Sequence, residues 1–200
     1  DASVTADTDF TYHFKLENLM ADSFYQYEVT CVDDHSTRTR SDRATFWTAP
    51  GKFRKRDVSF IWAADLAGQG WCRNPELSFT NVLNGESVNG GYLFFEVART
   101  LKPDFALFQG DMIYADGPCP AEKMIPEIAC NETGLYPECV WKNIPSKDYY
   151  AVTLDEFRMN WKYNFGDDKM RRFLLEVPVF ASWDDHEVTN NWYPGEKGLV

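Results

Sequence analysis

The sequence predicts an α/β protein built on a parallel sheet, with a smaller all-β segment in front of it. Three apolar runs, at 58–64, 105–108 and 177–182, have the length of strands and are separated by segments with helical spacing. Strands that alternate with helices predict βαβ units and a parallel sheet. Near the start of the chain, short stretches instead alternate apolar and polar residues, which predicts antiparallel strands.

The front segment has the pattern of a partial β-sandwich. Residues 10–16 and 25–31 alternate with a period of two, and 44–50 form a third strand that ends at a proline. The closing Phe-x-Thr-Ala-Pro resembles the last strands of a fibronectin-type sandwich. Fifty residues are too few for a complete sandwich, so we expect 1–50 to be a partial domain whose first strands precede this sequence.

The main domain is predicted to begin after a basic, polar linker at 51–57. The continuous apolar run 58–64 is typical of a strand buried on both faces. Apolar residues recur at helical spacing through 91–101, Pro103 stops that helix, and 105–108 form a second buried strand. This order of strand, helix and strand predicts one βαβ unit.

The second half of the chain contains an insertion and then two helices. Residues 115–147 are rich in cysteine and proline and show no clear period, and a loop of that length is usually functional or a lid. Helical spacing follows at 153–164 and at 167–176. The third parallel strand, 177–182, leads into the sequence Trp-Asp-Asp-His-Glu at 183–187.

Charge and hydropathy exclude some classes of partner. The formal net charge of −11 and the pI near 4.7 argue against a non-specific nucleic-acid or anionic-membrane partner. No apolar run reaches the roughly 18 residues that a transmembrane helix needs. The sequence starts at Asp1 without a methionine or the apolar core of a signal peptide, so we expect a processed or cut end. Nothing in the residues identifies a partner protein.

The cysteines favour disulfides over a zinc site. Cys119, Cys130 and Cys139 lie in one irregular stretch without zinc-finger spacing, which is consistent with a disulfide there. Cys72 is interpreted as an inert or disulfide-linked thiol, since no base partner for a nucleophile is visible. Asn131 begins a glycosylation sequon in the same stretch. Together these features predict the secretory pathway, with an extracellular, cell-surface or periplasmic location.

Acidic residues follow each of the three predicted parallel strands. Asp65 follows the first, Asp111 the second, and Asp184 and Asp185 the third. Ligands of open α/β sheets bind outside the carboxyl ends of the strands, so these side chains should converge. A lone aspartate in such a place is often only a helix cap, whereas the repeated pattern favours a metal or catalytic site.

The residues around these acids add chemical detail. Gly110 lets the backbone turn beside a ligand, and Asp111 can bridge two cations through its two oxygens. Tyr114 could offer a phenolate to a ferric ion or could simply pack on the loop. His186 has an acid on either side, which favours a functional histidine over a structural one.

Four further polar residues leave two interpretations open. Asp116 either supports the site or belongs to a turn. Asn190 and Asn191 either cap a helix or contact a substrate phosphate, with Asn191 as the weak candidate for substrate binding. Arg73 is interpreted as a surface charge rather than as a phosphate ligand.

The motifs resemble a known family. Asp65, the sequence Gly-Asp-Met-Ile-Tyr-Ala-Asp-Gly at 110–117 and the sequence Trp-Asp-Asp-His-Glu-Val-Thr-Asn-Asn at 183–191 are similar to the first three blocks of the phoD-like alkaline phosphatase/phosphodiesterase family of calcineurin-like metallophosphoesterases. The resemblance covers roughly 58–193. It implies a four-layer αββα sandwich, of which 58–200 would form the N-terminal part, with the C-terminal part missing.

The resemblance also implies a binuclear metal site. Asp65 would bind one metal, and Asp111 would bridge both. Tyr114 would bind the iron-like metal and Asp185 the other, while His186 would act with Asp185 in catalysis by stabilising or protonating the leaving-group oxygen. The implied metals are Fe(III) and Ca(II), with Zn, Mn and Mg as alternatives. A metal-bound hydroxide would attack phosphorus in line.

This sequence departs from the family pattern near the first metal. The wider superfamily has a histidine two residues after the first aspartate, where this chain has Ala67, and phoD-like enzymes often have cysteine in place of Asp65. Later histidine and aspartate ligands of the family are expected beyond residue 200. The first metal's ligands are therefore the part of the site that the resemblance defines least.

Three functions stay open from the sequence. The resemblance implies hydrolysis of phosphate monoesters or diesters. The main alternative is a binding protein that keeps the metallophosphoesterase fold with a degenerate site, and metal content distinguishes the two. A third is a metallohydrolase of nucleotides or phospholipids, whose pocket the insertion at 115–147 would shape.

Overall fold

The structure, a computed structural model, describes residues 2–66, 68–126, 130 and 139–196. The chain divides into two compact units, Asp1–Asp57 and Val58–Val200. Within the described residues, every helix is too short or too polar to cross a membrane.

The first unit contains two antiparallel sheets of two strands each. Its elements in chain order are a 3₁₀ helix (Ala6–Thr8) and the strands β1 (Phe24–Tyr27), β2 (Thr30–Val32), β3 (Arg38–Arg40) and β4 (Ala44–Trp47). β1 pairs with β4, and β2 pairs with β3. The rings of Tyr25 and Phe46 stack across the first pair, with centroids 5.5 Å apart. The fibronectin-type sandwich stays a prediction for this unit.

The strand predicted at 10–16 is wrong. This segment has no regular secondary structure, and its apolar side chains are exposed. A strand needs a hydrogen-bonded neighbour, and within the described residues 2–57 no segment pairs with it. Asp9 and Phe10 also have positive φ angles of 53° and 54°, which turn the chain at the start of the segment. The strand predicted at 25–31 is interrupted as well, because β1 and β2 are separate.

The second unit begins with a strand, a hairpin and a helix that leads back to the sheet. These elements are β5 (Phe60–Ala63), β6 (Ser78–Thr80), β7 (Ser87–Asn89), α1 (Leu93–Thr100) and β8 (Phe105–Gln109). α1 is the helix that the spacing of apolar residues predicts. It ends shortly before Pro103, since the residue preceding a proline disfavours helical dihedral angles.

A second hairpin and two consecutive helices connect β8 to the last strand. They are β9 (Glu122–Met124), β10 (Val140–Lys142), α2 (Leu154–Phe165) and α3 (Asp168–Glu176), followed by β11 (Val179–Ser182). Thr153 and Glu156 form a capping box at the start of α2. Asp167 accepts hydrogen bonds from the first N–H groups of α3. Both predicted helices are present.

β8 lies at the centre of a three-stranded parallel sheet, between β5 and β11. Leu107 of β8 is in register with Trp62 of β5 and with Phe180 of β11. Helices connect each strand to the next, so the predicted α/β class and the βαβ unit are confirmed. The four-layer sandwich stays a prediction.

Helices α1 and α3 pack on one face of the sheet and form its core. The ring centroids of Phe95 and Phe173 lie 5.4 Å apart, and both rings contact Phe108 of β8. Burial of each phenylalanine contributes about 1.5–3 kcal/mol. This cluster fixes the helices on the sheet and thereby fixes the strand ends that carry the site.

The other face of the sheet corrects the prediction of strands buried on both faces. Phe60 is 53% exposed, Trp62 69% and Phe180 63%. Both helices lie on the opposite face, where Ala106 and Phe108 are buried. A continuous apolar run therefore places apolar side chains on both faces of the sheet, but within the described residues helices pack on only one of these faces.

Candidate metal centre

The candidate metal centre lies where the three parallel strands end. Asp65 follows β5, Asp111 follows β8 and Asp185 follows β11. The first two loops are tied together, because the N–H of Leu66 donates to the carbonyl of Asp111 at 2.8 Å. The structure thus brings together the acids that the sequence places after separate strands.

The backbone is strained at two of these acids. Asp65 and Asp111 have left-handed φ angles of 59° and 53°. Such conformations cost roughly 1–3 kcal/mol for residues other than glycine, and they concentrate at functional sites. Gly110 has φ 85°, and a side chain there would overlap Asp184, so the turn requires glycine.

Three side chains form a compact group that could hold a cation. Asp111, Asp185 and His186 each offer one ligand atom, and these atoms lie within 4.8 Å of one another. Asp111 is 7% exposed and His186 8% exposed. Two carboxylates and an imidazole are donors that divalent metals accept.

Tyr114 lies between Asp65 and the group of Asp111, Asp185 and His186, and it contacts both Asp65 and His186. Its hydroxyl donates to Oδ1 of Asp65 at 3.0 Å, and its ring stacks on His186 with centroids 4.3 Å apart. Burial raises the pKa of Tyr114 well above the ordinary value, and the Asp65 and Asp111 carboxylates raise it further. The phenol is therefore protonated unless a cation binds beside it. Asp65 itself is exposed.

His186 is held by Asp116. Nδ1 of His186 lies 2.7 Å from Oδ1 of Asp116, whose Oδ2 accepts the N–H of Asn190 at 2.7 Å. Burial opposes the charged imidazolium, but the hydrogen bond and charge of Asp116 outweigh it, so the pKa of His186 is raised. Of the two interpretations of Asp116, the structure favours support of the site.

Asp111 is the most perturbed acid of the centre. Burial raises the pKa of its carboxyl to about 6; the N–H of His186, 3.2 Å from Oδ1, lowers it, and the Asp185 and Glu187 carboxylates raise it. Burial and like charges both disfavour the ionised form. A cation bound at this position would reverse that preference.

Two buried residues beside the centre were missed in the sequence. The carboxylate of Glu187 accepts backbone N–H groups from the turn at 110–113. Lys147 donates from Nζ to the carbonyl of Tyr114 at 2.9 Å and to Asn160. Burial lowers the pKa of Lys147 to about 8. The position of Glu187 in an acidic run was a signal, whereas nothing in the sequence indicates that Lys147 is buried.

Asn191 and Arg73 both form hydrogen bonds within the protein. The N–H of Asn191 donates to Oδ2 of Asp185, and its side chain is exposed. Substrate binding by the side chain of Asn191 stays a prediction. Arg73 donates to the carbonyls of Tyr163 and Gly166 at the end of α2, at 2.9 and 3.2 Å. Arg73 therefore secures a helix end and is not a free surface charge.

The insertion is attached to the loop that follows β5. A disulfide joins Cys72 to Cys119, and a second joins Cys130 to Cys139. The side chain of Asn143 accepts the N–H of Cys72 at 2.9 Å and donates to the carbonyl of Pro120 at 2.7 Å. Ala67, much of 127–138 with the sequon at Asn131, and 197–200 lie outside the described residues.

Comparison with known proteins supports one family. Residues 60–199 match the family of PhoD-like phosphatases. A solved structure of PhoD covers 90% of this chain with a TM-score of 0.54 and 16% sequence identity, which is a likeness of fold. The chain spans 27% of the length of that structure. A sequence comparison with curated proteins finds no match. Since the family match includes all three parallel strands and the acids that follow them, this chain belongs to the PhoD-like phosphatase family.

Proposed function

We propose that this chain belongs to an enzyme that hydrolyses phosphate monoesters or diesters with the help of bound metal ions. The observation that carries the proposal is the cluster of Asp111, Asp185 and His186 at the carboxyl ends of the parallel strands, in which Asp111 and His186 are buried and Asp185 is half-buried. The match to PhoD-like phosphatases supports the same class of reaction. The reaction of the whole protein is part of the proposal, because the chain spans about a quarter of the solved relative.

The proposed metal site is binuclear. Asp111 would be shared by the two cations, Asp185 would hold one of them, and Asp65 and Tyr114 would hold the other. Fe(III) with Ca(II) suits this set, since carboxylate and phenolate oxygens favour hard cations, and Zn, Mn and Mg are the alternatives. Bound cations would supply an activated water molecule and offset the charge that develops on the phosphate.

His186 is the proposed acid of the reaction. Asp116 holds Nδ1, which leaves Nε2 for the leaving-group oxygen of the ester. The raised pKa keeps a larger share of the imidazole protonated near neutral pH, as proton donation requires. Asp185, as a proposed metal ligand next to His186, acts with it in catalysis. The side chain of Asn191 is the proposed contact to the substrate phosphate.

The domain organisation and the location belong to the same proposal. We propose 1–50 as the end of a fibronectin-type sandwich, 51–57 as a linker and 58–200 as the N-terminal part of a four-layer catalytic domain. The disulfides Cys72–Cys119 and Cys130–Cys139 support an oxidising compartment, that is, the cell surface, the periplasm or the extracellular space.

The test is an assay of the full-length protein with p-nitrophenyl phosphate and bis-p-nitrophenyl phosphate, with and without a chelator. Chelator-sensitive release of p-nitrophenol that returns on addition of metal supports the enzyme, and the preferred ester separates monoesterase from diesterase. Asp111→Asn is the control and should be inactive. A folded wild-type protein without activity under any metal would favour the degenerate binding protein.

A further inference from the structure

Glu187 connects the two loops that carry the acids of the metal centre. Its Oε1 accepts the N–H groups of Met112 at 2.7 Å and Ile113 at 3.4 Å. Its Oε2 accepts the N–H groups of Asp111 at 3.1 Å and Asp184 at 2.7 Å. One buried carboxylate thus binds the turn after β8 and the loop after β11 at the same time.

The turn after β8 has a shape that binds an anion. Gly110 and Asp111 have consecutive positive φ angles of 85° and 53°. In this turn the successive N–H groups of Asp111, Met112 and Ile113 point toward one carboxylate, and converging N–H groups of this kind form a concave anion site. In this protein the anion is supplied by the chain itself, so these N–H groups do not hold the phosphate of a substrate.

We propose that Glu187 is a positioning residue that sets the distance between Asp111 and Asp185, and thereby prepares the cation site before any cation binds. In this role the carboxylate of Glu187 is neither a metal ligand nor a substrate contact. It acts through its hydrogen bonds to the backbone of the two loops that carry Asp111 and Asp185, which are called the ligand loops below. The consequence for metal affinity rests on the proposed function, whereas the coupling of the loops does not.

Glutamine is a close test of this role because it has the same shape. In either orientation of the amide, the –NH₂ group of Glu187→Gln replaces one oxygen and faces two N–H donors. These are Asp111 and Asp184 in one orientation, and Met112 and Ile113 in the other. In the first orientation the loop after β11 loses its hydrogen bond to the carboxylate, and in the second the turn after β8 loses two of its three hydrogen bonds.

Glu187→Asp separates reach from charge. Aspartate keeps the negative charge near Asp111 but is one methylene shorter, so it cannot hold both loops. A role of charge alone would leave metal binding intact in Glu187→Asp and weaken it only in Glu187→Gln. The positioning role predicts weaker binding in both variants.

Glu156→Gln is the matched control. The carboxylate of Glu156 also accepts two backbone N–H groups, those of Val152 at 2.9 Å and Thr153 at 2.8 Å, but it lies in the capping box of α2. All of these donors contact one oxygen, which glutamine can keep, so the same chemical change there should leave the two ligand loops and the metal centre unaltered.

The experiment measures amide hydrogen exchange in the metal-free full-length protein and the affinity for Mn²⁺, Ca²⁺ and Fe³⁺. In both Glu187 variants, exchange at Met112 or Asp184 should accelerate at least about tenfold, and metal affinity should fall about 10- to 100-fold. At saturating metal, kcat should recover, because Glu187 does not contact the substrate.

Two outcomes would overturn the proposal. One is unchanged exchange at both loops in Glu187→Gln, and the other is unchanged metal affinity in Glu187→Asp. If the wild-type protein binds none of the three metals and hydrolyses neither nitrophenyl ester, the proposed function fails. In that case the amide exchange rates alone test whether Glu187 couples the two loops. If one Glu187 variant does not fold, the other variant is used for the test.

Discussion

The carboxylate of Asp116 lies 2.7 Å from Nδ1 of His186, and its second oxygen binds the N–H of Asn190. This single side chain therefore fixes both the ring orientation and the loop that follows the histidine. A carboxylate in this position raises the basicity of the imidazole and selects which nitrogen is left for the substrate.

Replacing Asp116 by Asn should lower the pKa of His186. The negative charge that now outweighs the burial of the ring would be lost, so the imidazole would deprotonate at lower pH. NMR titration of the histidine signals measures this directly, with His13 and His35 as internal references. A pKa of His186 that does not fall in Asp116→Asn would contradict the assigned pair.

The same variant should affect esters with poor leaving groups most. If His186 protonates the leaving-group oxygen, both Asp116→Asn and His186→Ala should slow alkyl phosphates about 10²- to 10⁴-fold more than p-nitrophenyl phosphate. Equal losses for good and poor leaving groups would argue against acid catalysis.

Gly68 supports the ring of Tyr114. A side chain at Gly68 would overlap that ring, which is stacked on His186 on another side. Gly68→Ala should therefore displace the ring and cost about 1–3 kcal/mol of stability. Since a phenolate bound to Fe(III) absorbs visible light, iron-loaded Gly68→Ala should lose intensity in the visible spectrum.

Two variants make this spectrum informative. Tyr114→Phe removes the phenolate and should abolish the visible band altogether. Gly51→Ala, at a position with open space around it, should leave both the spectrum and the melting temperature unchanged. A Gly68→Ala spectrum identical to that of the wild type would mean that the ring position does not matter for the metal.

Lys147 should make stability depend on alkaline pH. Burial lowers the pKa of this lysine from 10.5 to about 8, so between these values the unfolded chain holds the proton more tightly than the folded protein. Stability then rises with pH over this range, by up to about 3 kcal/mol. Urea unfolding at pH 7.5, 9 and 10 should show this rise relative to Lys147→Met, and parallel curves for the two proteins would contradict it.

Asp111 should couple metal binding to protons. Its pKa of about 6 in the metal-free protein lies above the ordinary 3.8, so the folded protein holds this proton more tightly than the unfolded chain does. The metal-free protein therefore loses this contribution to stability as pH rises through 6. Metal affinity should in turn fall about tenfold per pH unit below pH 6. Titrations at pH 5, 6 and 7 measure this, and an affinity independent of pH would exclude Asp111 as a ligand.

Much of the α/β unit was predictable because its signals are local. Period and length alone indicate β5, α1, β8, α2 and α3, and the acids after the strands indicate the edge of the sheet where they meet. The strand predicted at 10–16 shows the limit of the same method. An alternating sequence shows which side chains of a segment are apolar. It does not show whether a neighbouring strand is available to form hydrogen bonds with that segment.

The remaining features are contacts between distant residues, and such contacts leave no periodic trace. Glu187 binds backbone N–H groups, which are present at almost every position and carry no sequence signature. The approach of Gly68 to Tyr114 depends on how two loops fold over each other. The burial of Lys147 likewise follows from the insertion packing beside Asn160.

The central claim is that Asp111 and Asp185 bind a cation beside His186, and the most direct measurement is the metal content and metal affinity of the full-length protein beside those of Asp111→Asn. Elemental analysis and equilibrium titration with iron, calcium, manganese and zinc should give tight binding in the wild type. Binding should be at least about 100-fold weaker in the variant, with an unchanged circular dichroism spectrum. A folded wild-type protein that binds none of these metals, or an Asp111→Asn variant that binds them equally well, would contradict the account.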